Sequence, residues 1–110
     1  MARHTMRVLS GINPRQVDVM IEKYHLNMLQ NDKGIILFEG ELEDLRSASK
    51  HVVDVVLPPG PTGSEIKAAV DKFDVQLKQS DEGPQLHGSY DEINNAVNYI
   101  VDIMTERINL

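Results

Sequence analysis

The sequence predicts an α+β fold: two tandem β-α-β-β-α units forming an antiparallel-rich sheet with helices on one face. Three observations predict it. The chain repeats itself, its apolar residues alternate between strand and helix spacing, and its turn residues recur at matching places. Gly11 to Val56 retraces as Gly60 to Met104. Val17, Ile21 and Tyr24 fall on Ile66, Val70 and Phe73; Leu26 and Met28 fall on Val75 and Leu77. Gln30, Asp32 and Gly34 meet Gln79, Asp81 and Gly83, and Gly40 meets Gly88. Leu45, Ala48, Val52, Val53, Asp54 and Val55 then meet Ile93, Ala96, Ile100, Val101, Asp102 and Ile103. The units are read as residues 1–57 and 58–110.

The elements follow in order. Met6 to Ser10 reads as a short strand ended by Gly11-Ile-Asn-Pro. Asn13 caps a helix from Pro14 to Tyr24, with proline where a missing N–H costs nothing. Leu26 to Gln30 is a strand, Asn31-Asp-Lys-Gly a hairpin turn, and the apolar run from Ile35 to Glu39 the returning, central strand. After Gly40, Leu42, Leu45, Ala48, Val52 and Val56 keep helical spacing, predicting a helix from Glu41 to about Val55 whose acidic start suits the dipole. A strand at Asp54 to Leu57 competes with the end of that helix. Pro58 to Gly63 is the one clear break. The second unit then reads as a helix at Ser64 to Phe73, a strand at Val75 to Gln79 and a turn at Ser80 to Pro84. A strand at Gln85 to His87 follows, then a helix from Asp91 to about Arg107 capped by Ser89 or Asp91. Only the first few and last two or three residues are expected to be loose. The alternative fold is a ferredoxin-like βαββαβ core with Asp54 to Leu57 as its last strand and the second half appended.

With 110 residues, each half is about 50 residues long, marginal for folding alone, so the halves are expected to lean on each other. Apolar residues make up 41% and charged residues 25%, the balance of a water-soluble globular chain. No run approaches the roughly 20 apolar residues of a membrane helix. The start lacks a secretory signal, and there is no cysteine for disulfides or thiolate sites, which suits a cytoplasmic or nuclear place. A net charge of −6 tells against strong non-specific attraction to phosphate backbones.

Gly60-Pro-Thr-Gly-Ser-Glu-Ile-Lys-Ala-Ala-Val, followed by Phe73-Asp-Val-Gln-Leu, resembles the second half of a K-homology (KH) domain. Leu86-His-Gly-Ser-Tyr-Asp-Glu-Ile-Asn-Asn-Ala-Val-Asn-Tyr-Ile-Val and Phe38-Glu-Gly-Glu-Leu-Glu-Asp-Leu-Arg-Ser-Ala-Ser-Lys-His-Val-Val both resemble that family's strand-Gly-helix piece. The resemblance implies tandem KH-like units and a nucleic-acid loop at Gly60, Pro61, Thr62, Gly63 and Ser64, helped by Lys67. The family's helix before the loop has no counterpart here, and the first loop is replaced by Gly11-Ile-Asn-Pro. Pro61 and Thr62 stand where RNA-binding members carry Lys or Arg. In this the chain resembles the divergent KH-like modules of ubiquitin-ligase and ADP-ribosyltransferase scaffolds, which implies a role in assembly.

Other residues point to no chemistry. His4, His25, His51 and His87 lack metal-ligand spacing, and no cysteine can complete a zinc site. Glu39, Glu41, Glu43 and Asp44 suit a helix start better than a catalytic pair, which would need a carboxyl in an apolar cleft. Ser47, Ser49, Ser64 and Ser89 lie in no nucleophile-elbow pattern. Tyr24 and Phe73 sit on the helical apolar stripe and are expected in the core rather than stacking on bases. The expectation is a non-enzymatic protein-interaction or assembly module, with a partner protein or a second copy docking at strand edges Met6 to Ser10 or Gln85 to His87. Single-stranded RNA or DNA at Gly60 to Gly63 is the alternative. No cofactor, metal, membrane or small-molecule substrate is expected.

Overall fold

The computed structural model describes residues 3–108, and the looseness expected at residues 1–2 and 109–110 lies outside them. The first five elements are β1 (His4–Arg7), α1 (Pro14–Tyr24), β2 (Asn27–Gln30), β3 (Ile36–Gly40) and α2 (Leu42–Ser49). The next five are β4 (Val52–Val56), α3 (Gly63–Lys72), β5 (Val75–Ser80), β6 (Gly83–Ser89) and α4 (Tyr90–Ile108). The strands form two three-stranded antiparallel sheets, ordered β1-β3-β2 and β4-β6-β5. Each unit is therefore β-α-β-β-α with its third strand in the centre of its sheet, and the repeat seen in the sequence is a repeat of topology.

Local chemistry explains the boundaries. Asn13 Oδ1 accepts the Arg15 N–H at 2.9 Å to open α1, and Lys23 favours its last turn. Asn31 Oδ1 accepts from Lys33 N and Ile35 N at 2.9 and 3.0 Å, which shapes the β2–β3 turn. Along β4, Val53 and Val55 are buried while Val52, Asp54 and Val56 face away, a period of two.

That last pattern corrects the expected helix over Glu41 to Val55. The helix stops at Ser49, and Val52–Val56 is a strand of the second sheet, paired residue for residue with Ser89–Gln85 of β6. Four valines in five positions favour the extended chain, since branching at Cβ restricts the side chain against a helical turn. The ferredoxin-like alternative falls with it, because these residues do not join the first sheet. The repeat-equivalent Ile100 to Ile103 stays within α4.

The two units share one core. Leu9, Met20, Phe38 and Leu45 of the first belong to the same buried cluster as Val53, Leu86, Ile93 and Ile100 of the second, and the Phe38 and Tyr90 rings meet at 6.2 Å. Fully burying a side chain of this kind contributes about 1.5–3 kcal/mol. The radius of gyration, 14.6 Å, is a little above the roughly 13 Å expected of a compact chain this long, as two units side by side would give.

Polar contacts sew the seam. Tyr90, only 2% exposed, donates its hydroxyl to the Arg7 carbonyl and accepts the Leu9 N–H at 2.9 Å. Burial pushes its phenol up to about 12, so it stays protonated as the donor. Gly11 accepts the Val56 N–H at 3.0 Å and Gln16 Oε1 accepts the Asp54 N–H at 3.0 Å, so the start of α1 lies along β4. The Tyr24 hydroxyl meets His51 Nδ1 at 2.9 Å, and burial, then Lys23, lowers the His51 pKa. Tyr90→Phe takes the partner from the buried Leu9 N–H and the part-buried Arg7 carbonyl and should cost about 1–3 kcal/mol in urea unfolding. Gly11 has a left-handed φ of +82°, and a Cβ there would collide with the Val56 carbonyl. Gly11→Ala should therefore cost more than about 1 kcal/mol, whereas Gly63→Ala, with nothing within 4 Å of its Cβ, should stay within about 0.5 kcal/mol.

Candidate functional site

The Gly60–Gly63 loop is entered from β4 and left by α3. Thr62 caps that helix: its hydroxyl accepts the Glu65 N–H at 3.2 Å while Glu65 Oε1 accepts the Thr62 N–H at 2.8 Å, a reciprocal capping box. Arg107, from the end of α4, reaches both Glu65 oxygens at 3.3 Å and the Gly60 carbonyl at 3.3 Å. Gly60 needs its glycine, with φ +131° and a Cβ that would meet Met104. Ser64 Oγ lies 3.3 Å from Thr62 Oγ1, and Pro61 is half-buried while Gly63, Ser64 and Lys67 are exposed. Arg107 thus ties the exposed loop to the end of α4, and the chain's own carboxylate takes the Thr62 N–H at the helix start, the kind of position that attracts a phosphate. A cation is present, but it is spent on that carboxylate.

The Thr62 N–H, above all, holds the Glu65 carboxyl below its ordinary value; burial works against this, and the Thr62 hydroxyl and Arg107 add to it.

The strand edges offer the other surface. Ladder alternation decides which backbone groups point outward. The Val8 N–H bonds Ile36 at 3.0 Å, so Thr5, Arg7 and Leu9 turn away from β3; the Tyr90 hydroxyl closes the outward groups of Arg7 and Leu9. The Leu57 N–H bonds Pro84 at 2.9 Å, so Asp54 and Val56 turn away from β6, and Gln16 and Gly11 close them. The Asn31 N–H bonds Ile35 at 3.0 Å, so Met28 and Gln30 point outward from β2. By the same alternation Leu77 and Gln79 point outward from β5. Nothing in the described residues covers these two edges, and Met28 and Leu77 are 46% and 42% exposed.

Of the strands expected to receive a partner, Gln85 to His87 lies in central β6, hydrogen-bonded on both sides, so it offers no edge. Met6 and Arg7 do lie on an edge, half closed by Tyr90. The open edges at β2 and β5 escaped the sequence because which edges the rest of the chain closes depends on groups distant along it. Met28/Gln30 and Leu77/Gln79 had nonetheless been matched by the repeat.

Tyr24 and Phe73 pack against the core as expected, with Phe73 edge-on to Tyr99 at 5.8 Å. On the outer face of the second sheet His87 Nδ1 meets Asp54 Oδ1 at 2.7 Å. An open groove of about 690 Å³ there is lined in part by Asn13, Gln16, Asp54, Asp81 and Glu82. Asp81 and Glu82 are exposed and Asp54 half-buried, so none sits in the apolar surroundings a general acid needs. No group of three or more potential metal ligands occurs among the described residues, and no helix among them is long and apolar enough to cross a membrane.

The folded chain holds the Glu65 proton less tightly than the unfolded chain, so this carboxylate stabilises in full above its ordinary value of 4.5 and the contribution drains as pH falls through the lowered folded value. The thermal midpoint of the parent should exceed that of Glu65→Gln near about pH 6, and the gap should close towards about pH 3. Set against protein-family models, curated proteins and solved structures, the chain matches none of them.

Proposed function

We propose that the chain is a non-catalytic protein-interaction module, KH-like in its strand-Gly-helix pieces, that takes up an extended segment at its open strand edges. One observation carries this reading. Of four edge strands, β1 and β4 are partly closed by the chain's own groups, while β2 and β5 are left open at repeat-equivalent positions. An open edge with an exposed apolar side chain is the chemistry of strand addition: main-chain hydrogen bonds supply affinity and alternate side chains supply selectivity. The departures from the KH pattern point the same way. A loop whose nearest cation, Arg107, is bonded to Glu65 at the helix start gives little to an RNA phosphate, although Ser64 and Lys67 remain exposed beside it.

The test is an amide-shift titration of the labelled chain with unstructured peptides selected from a random library, and in parallel with random-sequence single-stranded RNA at low and moderate salt. Peptide-dependent shifts should centre on Met28, Gln30, Leu77 and Gln79. Salt-sensitive RNA binding that moves Gly60 to Lys67 and is lost in Gly63→Asp would replace this reading with the nucleic-acid one.

A further inference from the structure

The two open edges are built alike but differ at one position, and that difference says what covers one of them. Between the outward pair Met28 and Gln30 of β2 lies Leu29; between the outward pair Leu77 and Gln79 of β5 lies Lys78. Leu29 is 40% exposed and sits opposite Leu37 of β3 on the sheet face away from Phe38. Lys78 sits at the same place opposite Gln85. Among the edge strands, β2 alone has no charged or titratable side chain: β1 carries His4 and Arg7, β4 Asp54 and β5 Lys78.

We infer that the occupant of the β2 edge is a second copy of this chain, paired β2 to β2 antiparallel about a two-fold axis through Leu29. Met28 and Gln30 of each copy then exchange main-chain hydrogen bonds with Gln30 and Met28 of the other. The two Leu29 residues fall opposite each other at a non-hydrogen-bonded position, where side chains come closest. With Leu37 of each copy they make an unbroken row of four leucines across the outer face. On the other face, Met28, 46% exposed, falls opposite Gln30 and diagonal to Met28 of the other copy. A two-fold interface must be self-complementary, and in a chain of net charge −6 an uncharged strand is where two copies approach without repulsion across the axis. The same pairing at β5 would set Lys78 against Lys78, like charges directly opposite, which opposes it. The outcome is a closed dimer with a six-stranded sheet bounded by β1 on each side, the β5 edge of each copy's second sheet remaining open.

This inference rests on the open-edge reading of function but fails separately from it. Sedimentation of the whole chain over a concentration series should show a monomer–dimer equilibrium. Leu29→Lys, which copies the β5 arrangement into β2 at an exposed site, should raise the dissociation constant by at least about tenfold with the circular dichroism spectrum unchanged. Exchange of the Met28 and Gln30 amides in the parent chain should slow as concentration rises, a readout that needs no variant to fold. A parent chain still monomeric at about 1 mM, an unchanged dimer in Leu29→Lys, or an assembly that grows past the dimer would each overturn the two-fold β2 pairing. Peptide capture at the β5 edge, read from the Leu77 and Gln79 amides in the titration, would stand or fall on its own.

Discussion

Tyr90 is where the two units become one molecule. Its ring lies against Phe38 of the other unit and its hydroxyl bridges Arg7 and Leu9, so one side chain both fills the shared core and completes a strand edge. A buried hydroxyl with no partner would oppose folding, and so would an unpaired strand end; each satisfies the other. Because Tyr90 begins α4 directly after β6, the second sheet, the last helix and the first strand are placed together. Units of roughly 50 residues are marginal for burying a core alone, and this seam lets the two share one.

The seam also shapes the surface. In joining the units, Tyr90 closes the Arg7–Leu9 end of β1, while Gly11 and Gln16 accept the outward N–H groups of Val56 and Asp54 in β4. What remains open, β2 and β5, is what the contacts between units do not reach. Open strand edges and internal interface are therefore complementary consequences of one repeated unit. A duplicated unit supplies two copies of every edge, folding against its twin consumes half of them, and the rest keep main-chain groups that need partners or water. Leucine against lysine at the equivalent position then gives the two survivors different characters.

The Gly60–Gly63 loop shows how a motif can be present in the sequence while its environment changes its chemistry. Its glycines and helix start are there, yet a carboxylate three residues on folds back into the cap and an arginine more than forty residues away covers both. The nearby capping pair, Thr62 and Glu65, can be read from the chain as a local signature. Arg107 cannot, because only the packing of α4 over α3 brings it there.

Much of the fold was legible: the repeat, both hairpins, α1 with its Asn13 cap, and the central place of β3 all follow from local spacing and turn chemistry. Val52–Val56 was not, since Val-Val-Asp-Val serves a helical stripe and an alternating strand equally well, and its repeat-equivalent is in fact helical. The presence of β6 as a partner for its hydrogen bonds decided the matter. The same holds for the site. The sequence by itself determined which residues would be apolar, which would turn and which would recur, because those depend on neighbours a few positions away. Tertiary structure alone decided which edges are sealed and which cation is spent, because these depend on groups that meet only after the two halves have packed.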